Sequence, residues 1–231
     1  MYGTLEREVY SICKDDNGFI WAASKTGILR VSENDSRLYN LPVTIKDFYF
    51  IRLIYKNSKL IAFTSNGQIF IYNELYDRFD LFLDIKQALN DANSNILGLV
   101  VDKNGTLWIG TTKGLYKYSN QELTLAFNSK AEVQQVDLYK DHNLILATIN
   151  GIGIFNTQSQ KLEYIYKYSV VNEIQVSSFF YDTEFNQIWI GTISNGLFLY
   201  SIEGKKLKEI IKDELPKQPI LPIRKKQASS V

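Results

Sequence analysis

An all-β fold of five four-stranded blades, a β-propeller, is what this sequence of 231 residues predicts. Three observations predict it. A short register recurs at blade-length intervals, each copy sits between turn signals, and the strands around it are apolar on both faces.

The register reads Trp21-Ala-Ala-Ser-Lys-Thr-Gly27, Ile61-Ala-Phe-Thr-Ser-Asn-Gly67, Trp108-Ile-Gly-Thr-Thr-Lys-Gly114, Ile145-Leu-Ala-Thr-Ile-Asn-Gly151 and Trp189-Ile-Gly-Thr-Ile-Ser-Asn-Gly196. Successive anchors lie 40, 47, 37 and 44 residues apart, which is the length of propeller blades. The anchor is always large and apolar, as a residue packed between stacked sheets should be. Two positions on stands a small residue (Ala23, Gly110, Ala147, Gly191), with Phe63 the exception; a small side chain lets a neighbouring sheet approach. Next comes a hydroxyl, Ser24, Thr64, Thr111, Thr148 or Thr192, placed to bond the backbone of the turn that follows. The closing glycine supplies the positive φ of a tight hairpin.

A second turn precedes each anchor. Asp15-Asp16-Asn17-Gly18 and Asp102-Lys103-Asn104-Gly105 are strong hairpin signals, and Lys140–Asn143 and Asp182–Asn186 hold the same place less regularly. Units two and four carry Ile61 and Ile145 for tryptophan and lack the glycine in this turn. The first unit then reads as strands at Val9–Cys13, Phe19–Ser24, Ile28–Val31 and Arg37–Leu41, and the third as Ile96–Val101, Thr106–Thr111, Leu115–Tyr118 and Thr124–Asn128. Ile96-Leu-Gly-Leu-Val-Val101 does not alternate, so its sheet is covered on both sides, which blades stacked about an axis provide. A helical solenoid is excluded by the absence of a 3.6-residue period. One short helix is expected near Asp84–Asn93.

Blades are expected at about 7–41, 50–83, 96–128, 133–167 and 175–212 within a 1–214 domain. Residues 215–231 read as the start of a sixth blade, with a first strand at Ile220–Arg224, or as a disordered tail. The favoured expectation is an open arc of a larger propeller, whose bare end faces would associate; a closed five-blade ring is the alternative.

Composition narrows the function. With 26 Lys plus Arg against 25 Asp plus Glu, nothing draws the chain to nucleic acid or an anionic membrane. No apolar run approaches the roughly 20 residues that cross a bilayer. The single cysteine, Cys13, allows no internal disulfide and reads as a buried thiol. His142 is the one histidine, so no His-His metal site or Cys-His pair can form, and its place in a turn reads as solvated. A calcium loop from Asp15 fails because its twelfth position is Thr26. Gly151-Ile152-Gly153 leads into a strand, not the helix of a dinucleotide site. No catalytic, cofactor-binding or metal-binding residues are therefore assigned, and no cofactor is expected. Ligands are expected at connecting loops, here Asn40–Asp47, Asp84–Ser94 and Ser169–Glu173, without named contact residues.

The segments Val9-Tyr-Ser-Ile-Cys-Lys-Asp-Asp-Asn-Gly-Phe-Ile-Trp21 and Leu99-Val-Val-Asp-Lys-Asn-Gly-Thr-Leu-Trp-Ile-Gly-Thr-Thr-Lys-Gly-Leu-Tyr-Lys-Tyr118 resemble the two-component regulator propeller repeat. The resemblance implies the periplasmic sensor region of a hybrid two-component histidine kinase of gut Bacteroidetes. It implies no catalysis by this segment, an oligosaccharide ligand as the external cue, and a homodimer formed through the parent protein in the inner membrane. A propeller enzyme of the streptogramin-lyase type and a passive protein-interaction scaffold are the alternatives. The Asp-x-Asn-Gly-x-x-Trp spacing also resembles the Asp-box of sialidases, a structural turn.

Overall fold

A computed structural model describes residues 8–42, 50–128, 132–140, 142–167, 176–193 and 195–211. The expected strand Ile220–Arg224, the tail and the Ser169–Glu173 loop lie outside these residues, as do Asp141 and much of the Asn40–Asp47 loop. Twenty strands form five four-stranded sheets, each a meander in sequence order. Blade one holds β1 (Val9–Lys14), β2 (Ile20–Ser24), β3 (Gly27–Val31) and β4 (Ser36–Tyr39). Blade two holds β5 (Ile51–Lys56), β6 (Lys59–Thr64), β7 (Gln68–Asn73) and β8 (Arg78–Asp84), followed by the one-turn helix α1 (Ile85–Leu89). Blade three holds β9 (Ile96–Val101), β10 (Leu107–Thr111), β11 (Gly114–Ser119) and β12 (Glu122–Phe127). Blade four holds β13 (Val133–Tyr139), β14 (Asn143–Thr148), β15 (Gly151–Asn156) and β16 (Lys161–Lys167). Blade five holds β17 (Val176–Asp182), β18 (Gln187–Thr192), β19 (Leu197–Ser201) and β20 (Lys206–Ile211).

The hydroxyl column does what its chemistry suggests. All five groups are buried. Each oxygen accepts a turn N–H: Ser24 from Thr26 at 3.2 Å, Thr64 from Gln68 at 3.3 Å, Thr111 from Lys113 at 3.0 Å, Thr148 from Asn150 at 3.1 Å and Thr192 from Asn195 at 2.9 Å. A turn N–H buried without that acceptor would be costly. Where blade two lacks a turn glycine, Asn57 and Ser58 take φ of 51° and 54°, the left-handed pair that a two-residue hairpin requires.

Blade two, like blade five, differs in register from blades one and four. Trp21 faces Arg30, nine residues on, whereas Ile61 faces Ile71, ten residues on. The turn closing at Gly67 is thus one residue longer. Because strand side chains alternate, Ile69 and Ile71 fall on one face of β7 and Phe70 and Tyr72 on the other.

The chain divides into two compact units, Met1–Lys113 with Lys117–Thr124, and Gly114–Tyr116 with Leu125–Val231. In the first, Trp21, Ala23, Ile28 and Tyr39 of blade one pack on Ile51, Leu53, Phe70 and Phe79 of blade two. Ser11 reaches across from β1, its hydroxyl accepting from Leu53 N at 3.1 Å. In the second, Ile145 and Ile152 of blade four pack on Phe179, Ile188, Ile190 and Phe198 of blade five. Gln135 of β13 spans that seam: its Oε1 accepts from Phe179 N at 2.9 Å and its Nε2 donates to Phe179 O at 2.8 Å. Ser11 and Gln135 both follow a register shift in the first strand of their blade, and each side chain there bonds the backbone of the first strand of the next blade.

The anchors Trp21, Ile61, Trp108 and Ile145 are 0–5% exposed. Trp189 is half-buried. Ile188 and Ile190, on the other face of β18, point into the blade four core.

Candidate functional site

The β1–β2 and β3–β4 turns of a meander lie at one end of its sheet, and the β2–β3 turn at the other. At the first of these ends a cleft of about 490 Å³ opens between blades one and two. Asp15 and Phe19 come from the β1–β2 turn, Arg30 from β3, Tyr55 and Lys59 from around the β5–β6 turn, and Tyr72 and Glu74 from the end of β7.

Its floor is the edge of Trp21, held in place by a carboxylate. Asp15 Oδ2 accepts from Trp21 Nε1 at 2.7 Å while its Oδ1 accepts from Phe19 N at 2.9 Å. Blade three repeats the device: Asp102 accepts from Trp108 Nε1 at 3.1 Å and from Thr106 N at 3.0 Å. The turn aspartate therefore fixes both the hairpin and the anchor ring, a role sequence reasoning missed. The signal was present, since Asp15–Trp21 and Asp102–Trp108 share a six-residue spacing.

One wall is cationic and aromatic. The Arg30 guanidinium lies 4.8 Å from the Phe19 ring centre and 5.6 Å from that of Trp21, within cation–π range. Behind it sits Asp77, on the β7–β8 turn. It accepts from the Tyr39 hydroxyl at 2.7 Å and from the Tyr72 hydroxyl, and it pairs with Arg37 and, at 3.5 Å, with Arg30. The Tyr72 hydrogen bond, followed by those of Tyr39 and the two guanidinium groups, holds the Asp77 carboxyl below its ordinary range against the opposing effect of burial. Burial, with the Asp77 hydrogen bond next, pushes both the Tyr39 and the Tyr72 phenols up.

A carboxylate with a depressed folded pKa adds stability above its unfolded value, near about 3.9, and that stability is lost as pH falls through the lower folded value. Asp77→Asn should therefore lower stability by about 1–2 kcal/mol at pH 7. The gap between variant and parent should narrow as pH drops from 4 toward 2. Urea melts at pH 7, 4 and 2.5 check this; a gap independent of pH would place the contribution elsewhere.

The expected loop surfaces sit differently. The Asp84–Ser94 connection holds α1, capped by Asp84, whose Oδ1 accepts from Lys86 N at 3.0 Å and Gln87 N at 3.1 Å. Gly67 O accepts from Ile85 N at 2.9 Å, which places α1 against the β6–β7 turn, at the end of blade two opposite the cleft. His142 is an exposed turn residue of blade four, and Cys13 is half-buried. Among the described residues no group of three or more His, Cys, Asp or Glu is placed to hold a metal ion, and no helix is long and apolar enough to cross a membrane.

The aspartate-to-tryptophan staple of blades one and three coincides with a known repeat. Residues 5–26 and 90–113 match the two component regulator propeller. No curated protein matches the sequence. Among solved structures, the propeller resembles the extracellular domain of BT3049 from B. thetaiotaomicron, described as a hybrid two component system. Identity is 17% over 87% of this chain and 29% of that one, with a TM-score of 0.67. The corresponding domain of BT4673 from the same organism gives 24% identity over 87% and 27% of the two chains, with a TM-score of 0.66. The WD40 β-propeller domain of Doa1 gives 16% identity over 94% and 72%, with a TM-score of 0.72. At these identities the likenesses establish the β-propeller fold. The chain spans under a third of the length of the two B. thetaiotaomicron domains.

Proposed function

We propose that this chain is a non-catalytic, ligand-sensing propeller segment of a hybrid two-component sensor histidine kinase, acting in the periplasm on a glycan-derived cue. The observation that carries the reading is the two component regulator propeller match in blade one and around blade three. The cleft between blades one and two supports the ligand class. Its volume falls in the range of small-molecule sites, and its Phe19 and Tyr55 rings offer apolar faces beside Asp15, Asn17, Lys59 and Glu74. Rings for stacking with donors and acceptors at their edges suit an uncharged, hydroxyl-rich ligand. Signal transfer then follows from homodimerisation of the parent protein, with ligand binding biasing the geometry of the blades.

The test is a thermal-shift and calorimetric screen of oligosaccharides against the 231-residue chain. A sugar at 100 times its Kd should stabilise the fold by about 2.7 kcal/mol. Phe19→Ala and Tyr55→Ala should each weaken binding by tenfold or more without unfolding the protein. Turnover of any panel member would overturn the non-catalytic reading. Saturable binding that ignores both variants would remove the cleft from it.

A further inference from the structure

Blade two breaks the repeat at its anchor, and the break leaves a hole. In blade one, Trp21 fills the seam to blade two, its ring centre 4.8 Å from that of Tyr72. The same strand position of blade two carries the much smaller Ile61, and the preceding turn, Lys56-Asn57-Ser58-Lys59, has no carboxylate to hold an indole. Between blades two and three, at the same end of the sheets as the first cleft, the seam holds an apolar pocket of about 190 Å³. Its floor is Ile61, Ile71 and Leu107, with the longer β6–β7 turn bringing Ile71 onto this face. Phe82 and Tyr118 close one side, edge to face, with ring centres 5.3 Å apart.

The rim has one sign of charge. Lys56 and Lys59 line the opening and no acidic residue does. Both lysines are exposed, and among the described residues neither is in an ion pair. An apolar cavity of about 150 Å³ is enough to take benzene, so this pocket has room for one ring or a short branched chain. A bound ring bearing an anion would satisfy floor and rim together.

We propose that the pocket between blades two and three binds small hydrophobic carboxylates, with the ring or branched chain on Ile61, Ile71 and Leu107 and the carboxylate at Lys56 and Lys59. The site shares Lys59 and Ile71 with the lining of the cleft of the sensory reading, whereas Ile61 lines this pocket and not that cleft. Ile61→Trp is therefore the variant that separates the two, and it should lose phenylacetate while keeping its response to sugars.

The probe is phenylacetate, titrated into the 231-residue chain by calorimetry, with toluene and acetate as apolar-only and acid-only controls. Phenylacetate should bind saturably and more tightly than either control. Ile61→Trp restores the anchor of the repeat; it should keep or raise the melting temperature and weaken phenylacetate at least tenfold. The Lys56→Gln/Lys59→Gln double variant changes only exposed side chains, so it keeps the test valid if Ile61→Trp fails to fold. It should weaken phenylacetate at least fivefold, remove the salt dependence of binding and leave toluene unaffected. The proposal is overturned if the parent does not bind phenylacetate, if acetate binds equally well, or if the double variant binds phenylacetate as the parent does.

Discussion

Replacing Trp21 by alanine should destabilise the protein by about 3–5 kcal/mol, the cost of removing a fully buried large aromatic side chain. Trp21 is 1% exposed and touches Tyr39, Tyr72 and Phe79 with ring centres 5.4, 4.8 and 6.1 Å away. Two of those rings belong to the next blade, so the loss falls on the seam as well as on blade one. The void would also leave Asp15 without its indole donor and Arg30 without one of its ring faces. Trp21→Phe keeps most of the volume and forfeits chiefly the Asp15–indole bond; it should cost about 1 kcal/mol plus a small packing term. Trp189→Ala provides the contrast. It removes an equal side chain from the same repeat position, but one that is half-buried, so it should cost less than half as much as Trp21→Ala. Urea denaturation followed by circular dichroism gives the ranking. Equal losses at positions 21 and 189 would mean that the anchor acts within its own sheet, not on the blade that follows.

The features legible in the sequence are those set by local chemistry. The hydroxyl, the closing glycine and the anchor each answer to atoms within a few residues, so spacing alone exposes them, and the short helix at Ile85–Leu89 falls inside its expected range. The clefts were not legible, because they belong to no single blade. Asp77 meets Tyr39 and Arg37 from about forty residues away, and that meeting depends on how two sheets stack. Register was the second obstacle. Gly27 and Gly67 stand at the same distance from their anchors, yet the longer pairing of blade two turns Ile71 and Tyr72 to the faces opposite those the blade one register predicts. A one-residue change in a turn is invisible to a spacing count and decides which side chains line each seam. Substitution of isoleucine for tryptophan at the anchor reads in sequence as a weaker copy of the repeat. In three dimensions it is a pocket.

Gly151→Ala should cost about 3 kcal/mol or more, far beyond the entropy benefit of replacing a flexible residue. Gly151 pairs with Lys167 at the start of β15 and has φ of 131°, a backbone region that L-residues other than glycine rarely enter. A Cβ there would lie 2.0 Å from the carbonyl oxygen of Tyr166 and 3.0 Å from Lys167 Cα. Both contacts are backbone, so no side chain can swing aside to relieve them. The outer strand β16 would have to part from β15, exposing the hydroxyl-bonded turn at Thr148. Gly105 is the internal control: its φ is 80° and a Cβ would meet nothing within 4 Å, so Gly105→Ala should cost only about 1 kcal/mol. If the two variants melt alike, the closing glycine serves the turn alone. If Gly151→Ala is far worse, glycine holds this place in blades one, three and four because the outer strand passes too close for any side chain.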